Sequence, residues 1–279
     1  YKLSILKNQS HLIIMYNLSY IHQICNLFMK AIIVAAGVGS RLGELTKELP
    51  KPLIDVNGKS ILERQILSFK KFGIDKIVII RGPHREKFSF KNVTYVNDDD
   101  YENHNLLGSL MVAENELNED VIISYGDIMF DETILEQILA FSGNAGLAID
   151  YNWEKNHSGK SKELLGKVSV VTIENNSISN IGYYENIDKN PDSILGEFIG
   201  IMKLSPPSVN YFVTKYNELK RNHDGKFHDS PSINFGIITD MINELIRNKI
   251  QFLPIKISGV WCEIDTKQDL ENAKKLFLD

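Results

Sequence analysis

In the stretch AAGVGSRLGELTKELPKPL, residues 35–53, a glycine loop is followed by Arg41 and then by Lys51 held between Pro50 and Pro52. Gly37-Val38-Gly39-Ser40 comes directly after the apolar run KAIIVAA, so the backbone can turn tightly and aim its N–H groups at phosphates. Two familiar phosphate loops are excluded. A P-loop needs Gly-Lys-Ser/Thr at its end, and here Arg41 follows Ser40. A dinucleotide fingerprint needs a different glycine spacing and an acid ending the second strand, where this chain has Arg81-Gly82.

The continuation is more specific. G-x-G-[ST]-R, then Thr46, then Pro50-Lys51-Pro52-Leu53 resembles the signature of nucleotidyltransferases that activate sugar phosphates and related phosphates. Membership implies that Arg41 and Lys51 are the catalytic cations, meeting charge that migrates as pyrophosphate leaves. The prolines limit the entropy lost when Lys51 meets its ligand. Ala35, Ala36, Gly37, Gly39 and Ser40 are then nucleotide-binding positions, the first three through backbone contacts to the base.

A transfer between two phosphates brings anions together and calls for a divalent cation, with ligands at the carboxyl ends of parallel strands. Asp127 ends the strand-like VIISYGD. Asp265 lies in WCEIDT, with Glu263 two residues earlier on the same face of an extended chain. All three match the family's metal-binding acids, and hard oxygen ligands imply Mg²⁺. Read without the resemblance, Asp127 is a turn residue and Asp265 the N-cap of the last helix. No nucleophilic Ser, Cys or His is required, because an acceptor phosphate or phosphonate is already ionised and attacks in line.

The segment YENHNLLGSLMVAENEL, residues 101–117, resembles the branch that uses CTP with phosphocholine or 2-aminoethylphosphonate. Asn105 and Ser109 match that branch's cytosine-side positions; the competing reading is helix capping. Chains that activate L-glutamine phosphate for capsular phosphoramidate are also similar from Met29 onward. Acceptor candidates are Asp150, Trp153, Tyr183 and Glu197, with Tyr184 and Phe198 beside them, since carboxylates and aromatic faces suit an amine. Ordinary aromatic core is the alternative for Tyr183, Tyr184 and Phe198. An acceptor carboxylate has Arg81, His84, Arg85, Lys160 or Lys162 available.

These residues need a scaffold that brings strand ends together. Strand-like runs at 30–36, 76–82, 93–97 and 121–127 alternate with helical patterns at 60–73 and 106–117, which predicts a mostly parallel Rossmann-like α/β sheet with helices on both faces. A helix opened by Asp131, a strand at 146–153, and then short strands around an Asn175-Asn176 turn follow. The latter predict an antiparallel acceptor-side insert at about 151–200 within one domain spanning 29–279. Helices near Pro206, within 228–249 and at the end complete the pattern, with strands in FLPIKI and VWCEIDT between the last two.

Composition agrees with a small-molecule enzyme. Of 279 residues 43% are hydrophobic and 24% charged, enough apolar mass for a full core. A net charge of -5 gives no basic field for nucleic acid or anionic lipid. Cys25 and Cys262 make neither a disulfide framework nor a zinc site, which suits a reducing cytoplasm. Residues 1–28 are apolar but repeatedly interrupted by polar side chains, reading as neither membrane span nor signal peptide; the functional chain is expected to start at Met29. The expected activity is transfer of CMP from CTP to a small phosphorylated amine or amino acid, best phosphoglutamine, for capsule or surface-polysaccharide decoration. Partners are therefore CTP and the acceptor, with a homodimer left open. A sugar-1-phosphate nucleotidyltransferase and a non-catalytic nucleotide-binding regulator are the competing readings.

Overall fold

The computed structural model describes residues 29–157, 161–188, 191 and 193–278. The expectation for residues 1–28, and Lys160, lie outside them. Strand β1 (Met29–Ala35) is buried along its whole length between β4 (Lys76–Arg81) and β6 (Asp120–Tyr125), and is parallel to both. β5 (Thr94–Asn97) pairs parallel with β4. Alternate side chains of β1 enter opposite cores: Ile32 and Val34 one, Ala31, Ile33 and Ala35 the other. This two-sided burial is why the run from Ala31 to Ala35 is apolar at every position rather than alternating.

Helix α1 (Ile61–Lys71) connects β1 to β4 by way of the short pair β2 (Asp55–Val56) and β3 (Lys59–Ser60). Ser60 caps α1 by accepting the Glu63 N–H at 3.1 Å, and the helix packs Leu62, Ile66 and Phe69 against one face of the sheet. Gly73, at φ 78°, turns the chain out of it. Helix α2 (Leu106–Val112) covers the other face ahead of β6. It is shorter than the sequence pattern predicts, because the chain tightens into a 3₁₀ turn at Glu114–Glu116.

After β6 come β7 (Ile128–Phe130) and α3 (Glu132–Ala140), whose N-cap is Asp131 as expected. β8 (Ala145–Asp150) stops three residues early: the Asp150 carboxylate accepts the Asn152 N–H at 2.7 Å, turning the chain so that Trp153 opens the short helix α4 (Trp153–Asn156) instead of ending a strand. Helix α5 (Lys162–Gly166) precedes the hairpin of β9 (Ser169–Glu174) and β10 (Ser177–Tyr183). Asn175 and Asn176 both take positive φ, the requirement of a two-residue hairpin turn.

That hairpin does not form a separate layer. β11 (Ile194–Leu204) pairs antiparallel with β9 through its first half and with β6 through its second, with β8 alongside. The hairpin thereby extends the main sheet, seven of whose nine strands run in the order β10-β9-β11-β6-β1-β4-β5, while β8, joined by one further strand, branches from β11. Gly200, at φ 79°, makes the bulge between the halves, where a Cβ would come within 2.6 Å of Tyr125 and Ile128. Helices α6 (Pro206–Asn222) and α7 (Ile238–Arg247) pack on the face shared with α2. β12 (Leu253–Lys256) adds to β8, β13 (Trp261–Glu263) pairs with β7, and α8 (Lys267–Leu276) ends the described chain.

Candidate active site

The carboxyl ends of β1 and β6 open one crevice, because the chain leaves β1 toward β4 on one side and returns to β6 on the other. Ligands favour such a switch point. The loop after β1 turns at Gly39, φ 66°, where a Cβ would stand 3.0 Å from the Lys51 Cβ and 3.2 Å from the Thr46 Cγ2. Only glycine lets the loop lie this close to the lysine stem. Thr46 Oγ1 donates to Gly39 O at 2.8 Å and to Gly43 O at 3.2 Å, tying the loop to itself. Ser40 begins the 3₁₀ segment Ser40–Thr46.

Lys51 begins a second 3₁₀ turn, Lys51–Leu53, with Pro50 before it and Pro52 inside it. Its side chain is only 8% exposed, and Nζ bridges Asp127 Oδ2 at 2.7 Å and Asp265 Oδ1 at 2.5 Å. Burial alone would lower the ammonium's pKa; Asp127, Asp265 and Glu263 outweigh it and hold the group above its ordinary value. Lys51 is therefore a fixed positive charge at any physiological pH. Arg41 Nη1 reaches Asp265 Oδ2 at 2.6 Å while its side chain stays 64% exposed. An ion pair that open contributes little to stability, so Arg41 is a cation held loosely at the crevice mouth.

The acids are brought together by the β7–β13 ladder. Glu263 pairs with Ile128, and the Ile264 N–H donates to Asp127 O at 3.1 Å, which sets Asp127 beside Asp265 although 137 residues separate them in the sequence. Thr266, not Asp265, caps α8: its Oγ1 accepts the Asp269 N–H, while Asp269 accepts the N–H groups of Thr266 and Asp265. The carboxylate of Asp265 is thus left to face the crevice. A small core of Leu42, Ile54, Val56, Ile61, Met129, Ile264 and Leu270 clamps the Arg41–Lys51 segment onto this tail.

Oxygens of Asp127, Glu263 and Asp265 lie within 4.8 Å of one another, and Asp127 Oδ1 is buried with no hydrogen-bond partner. Three carboxylates against two cations, with an unused buried oxygen among them, make a donor set of hard ligands that fits a divalent cation. Glu263 keeps part of its surface exposed, while protein packed around its carboxyl group, then the Asp127 and Asp265 charges, raise its pKa above the carboxylate range. A cation among these groups would reverse that shift.

Ala35 and Ala36 are buried beneath the loop. Gly37 has open space at its Cα and borders a cavity of about 240 Å³ shared with Val38, Thr46, Lys47, Pro83 and His84. Asn105 accepts the Leu106 N–H at 2.8 Å and is the N-cap of α2, the capping role weighed from sequence; Ser109 is buried one turn further on. The start of this helix is pinned by backbone bonds from Asn105 and Leu107 to Asn234 and Gly236.

The acceptor candidates divide. Tyr183 is half-buried and close enough to Arg41 and Glu263 to feel both charges; burial, then Asp240, raises its pKa. Asp150 and Glu197 are opposite each other on β8 and β11, and both are buried with partners. Asp150 accepts from Asn152, Asn156 and the Trp261 indole at 3.0 Å, and the His157 imidazole meets Glu197 at 2.8 Å. Trp153 sits in a satellite core with Val168, Val170 and Ile187, and Tyr184 packs edge-on against it. Arg81 and Arg85 lie on the β4 side, where Arg81 donates to Asn97 and stacks on Tyr95, while Arg85 pairs with Asp99.

Sequence reasoning missed His157, Trp261 and Tyr125. Tyr125 is half-buried near Asp127, and burial of its hydroxyl, then the Asp127 charge, raises its pKa. It meets Phe198 edge-on at 6.0 Å. Trp261 alone carried a signal, its place two residues before Glu263.

Residues 31–167 match the model of the MobA-like NTP transferase domain, so the chain carries a nucleotidyltransferase domain and is placed among the nucleotidyltransferase enzymes. Among its relatives, CTP:phosphoglutamine cytidylyltransferase of Campylobacter jejuni is 27% identical over 256 residues, covering 87% of this chain and 98% of that protein. Choline-phosphate cytidylyltransferase of Streptococcus pneumoniae is 39% identical over 106 residues, 37% of this chain and 46% of that protein. The solved CTP:phosphocholine cytidylyltransferase of Streptococcus pneumoniae shares the fold, with a TM-score of 0.67 at 21% identity over 88% of this chain and 98% of that one. Among the described residues no helix is long and apolar enough to cross a membrane.

Proposed function

We propose that the chain is a Mg²⁺-dependent cytidylyltransferase that moves CMP from CTP onto a small phosphorylated amine or amino acid, phosphoglutamine being the preferred acceptor. The observation that carries this reading is the Lys51–Asp127–Asp265–Arg41 network at the crevice between β1 and β6. Similarity to the Campylobacter jejuni phosphoglutamine enzyme along nearly its full length supports the base and the acceptor. In this reading the Gly37–Gly39 loop receives the triphosphate, with Ser40 at its end. Ala35, Ala36, Asn105 and Ser109 border the base. Tyr183, with Asp150, Trp153 and Glu197 behind it, borders the acceptor.

An oxygen of the acceptor phosphate attacks the α-phosphorus of CTP. The bond from the α-phosphorus to the bridging oxygen breaks, and pyrophosphate leaves with the electron pair. Lys51 and Arg41 stabilise the charge that moves onto the departing oxygens, and no protein group needs to give or take a proton. Asp127, Asp265 and Glu263 would hold Mg²⁺, which supplies charge neutralisation when bound. The product, a CDP-linked metabolite, suits a later transfer to capsule or another surface polysaccharide, and the setting is cytoplasmic.

The test is pyrophosphate release from each of the four ribonucleoside triphosphates against phosphoglutamine, phosphocholine, 2-aminoethylphosphonate and glucose 1-phosphate. CTP with phosphoglutamine is expected to give the highest kcat/KM. Turnover with glucose 1-phosphate alone overturns the acceptor class, and binding without turnover favours a regulator.

A further inference from the structure

We propose that Gln65 is a positioning residue that holds the Asp127 turn in register with Asp265 and Glu263, an inference that rests on the metal-binding reading of those acids. Gln65 lies on the core-facing side of α1, next to Ile61, Leu62, Ile66 and Phe69, and is 2% exposed. Its Nε2 donates to Tyr125 O at 2.9 Å and to Ile128 O at 2.7 Å. Those carbonyls stand on either side of Gly126-Asp127, so one amide grips both ends of the turn. Since both partners are acceptors, the amide orientation is fixed: a flipped Oε1 would repel them.

Gly126 closes the other side. Its N–H donates to Val34 O at 2.9 Å, and a Cβ there would stand 2.9 Å from that oxygen and 3.0 Å from the Pro52 ring. The turn is thus pressed against β1 and the lysine loop, and Gln65 clasps it from α1. Burial alone does not account for an amide here. Gln65 Oε1 has no hydrogen-bond partner, and a carbonyl buried without a partner destabilises the fold. A Leu or Met at this position of an otherwise apolar helix face would avoid that cost. What only the amide supplies is the double donation to the backbone around Asp127.

Support of this kind governs how well a ligating carboxylate is aimed, and its loss typically weakens metal affinity or activity by about 10–100-fold. A groove of about 500 Å³ between α1 and β7, lined by Leu67, Ser68 and Phe130 as well as Gln65, leaves room for substituted side chains to settle. Gln65→Met and Gln65→Glu are the test variants, and Ile66→Val is a core control on the same helix. Mn²⁺ binding followed by electron paramagnetic resonance is read beside kcat and the KM for CTP. Both Gln65 variants are expected to bind Mn²⁺ about tenfold more weakly and to lose about tenfold in kcat, with KM within about twofold. Ile66→Val should lower the Tm while leaving Mn²⁺ affinity unchanged.

Unchanged Mn²⁺ affinity in both Gln65 variants, beside a wild-type chain that binds the ion, overturns this inference alone. An equal loss in Ile66→Val does the same, because it assigns the effect to general loosening of α1. A wild-type chain that binds no divalent cation overturns the metal reading and this inference with it. If Gln65→Met does not fold, Gln65→Glu carries the comparison, since its carboxylate keeps the side-chain shape and, when ionised, donates nothing.

Discussion

At the scale of single residues, Lys51 is the group on which the site converges, and its environment separates function from stability. Two carboxylates within 2.7 Å satisfy it, so removing any one of the three leaves a charge unbalanced. Lys51→Ala is expected to lose most activity and also to destabilise by about 1–3 kcal/mol, as charged hydrogen bonds do when one partner is lost. Asp265→Asn and Asp127→Ala should abolish turnover, by at least about 100-fold, while the circular-dichroism spectrum stays that of the wild type. Near-normal kinetics in all three variants would refute the assignment. The acids on the acceptor side differ in kind, because Asp150 and Glu197 already meet Trp261 and His157.

At the scale of elements, caps and turns decide which side chains are left free to act. Asp265 matched two roles in the sequence, N-cap or ligand, and Thr266 takes the cap. Thr266→Ala is expected to cost about 1 kcal/mol in denaturant unfolding, the usual value of a lost cap. It should also lower kcat, because Asp269 loses the hydroxyl that helps hold it where it accepts the Asp265 N–H. A stability loss with kcat unchanged would show that the cap serves the helix alone. Asn105 is the opposite case: its side chain oxygen caps α2.

At the scale of the whole molecule, the site is assembled from both ends of the described chain. β1 and its loop supply the cations, and β13 with the residue pair after it supplies two of the three acids, with the Leu42–Leu270 cluster joining them. The sheet itself does not depend on an ion, since its strands are held by ladders and two apolar cores. Chelation with EDTA is therefore expected to abolish turnover, reversibly on adding Mg²⁺, with no change in thermal unfolding beyond about 2–4 °C. Cooperative unfolding on chelation would instead make the ion a structural element.

By itself the sequence determined the parallel αβ order and the glycine loop, because each rests on local pattern, an apolar strand or a turn that needs glycine, and it marked Arg41, Lys51 and the three acids as candidates through their resemblance to a family signature. It equally determined the Asn175-Asn176 hairpin and the Asp131 cap, for the same local reason. What only the tertiary structure decided is pairing between distant segments. The β7–β13 register sets Asp127 beside Asp265, β11 carries the hairpin into the main sheet by bulging at Gly200, and Gln65 reaches across from α1 to the Asp127 turn. Trp153 and Glu197 are suited by type to binding an amine, yet the fold gives the first a core and the second a histidine partner. Side-chain chemistry is written residue by residue, whereas the neighbour that satisfies a charge or an amide is fixed only when the chain closes on itself.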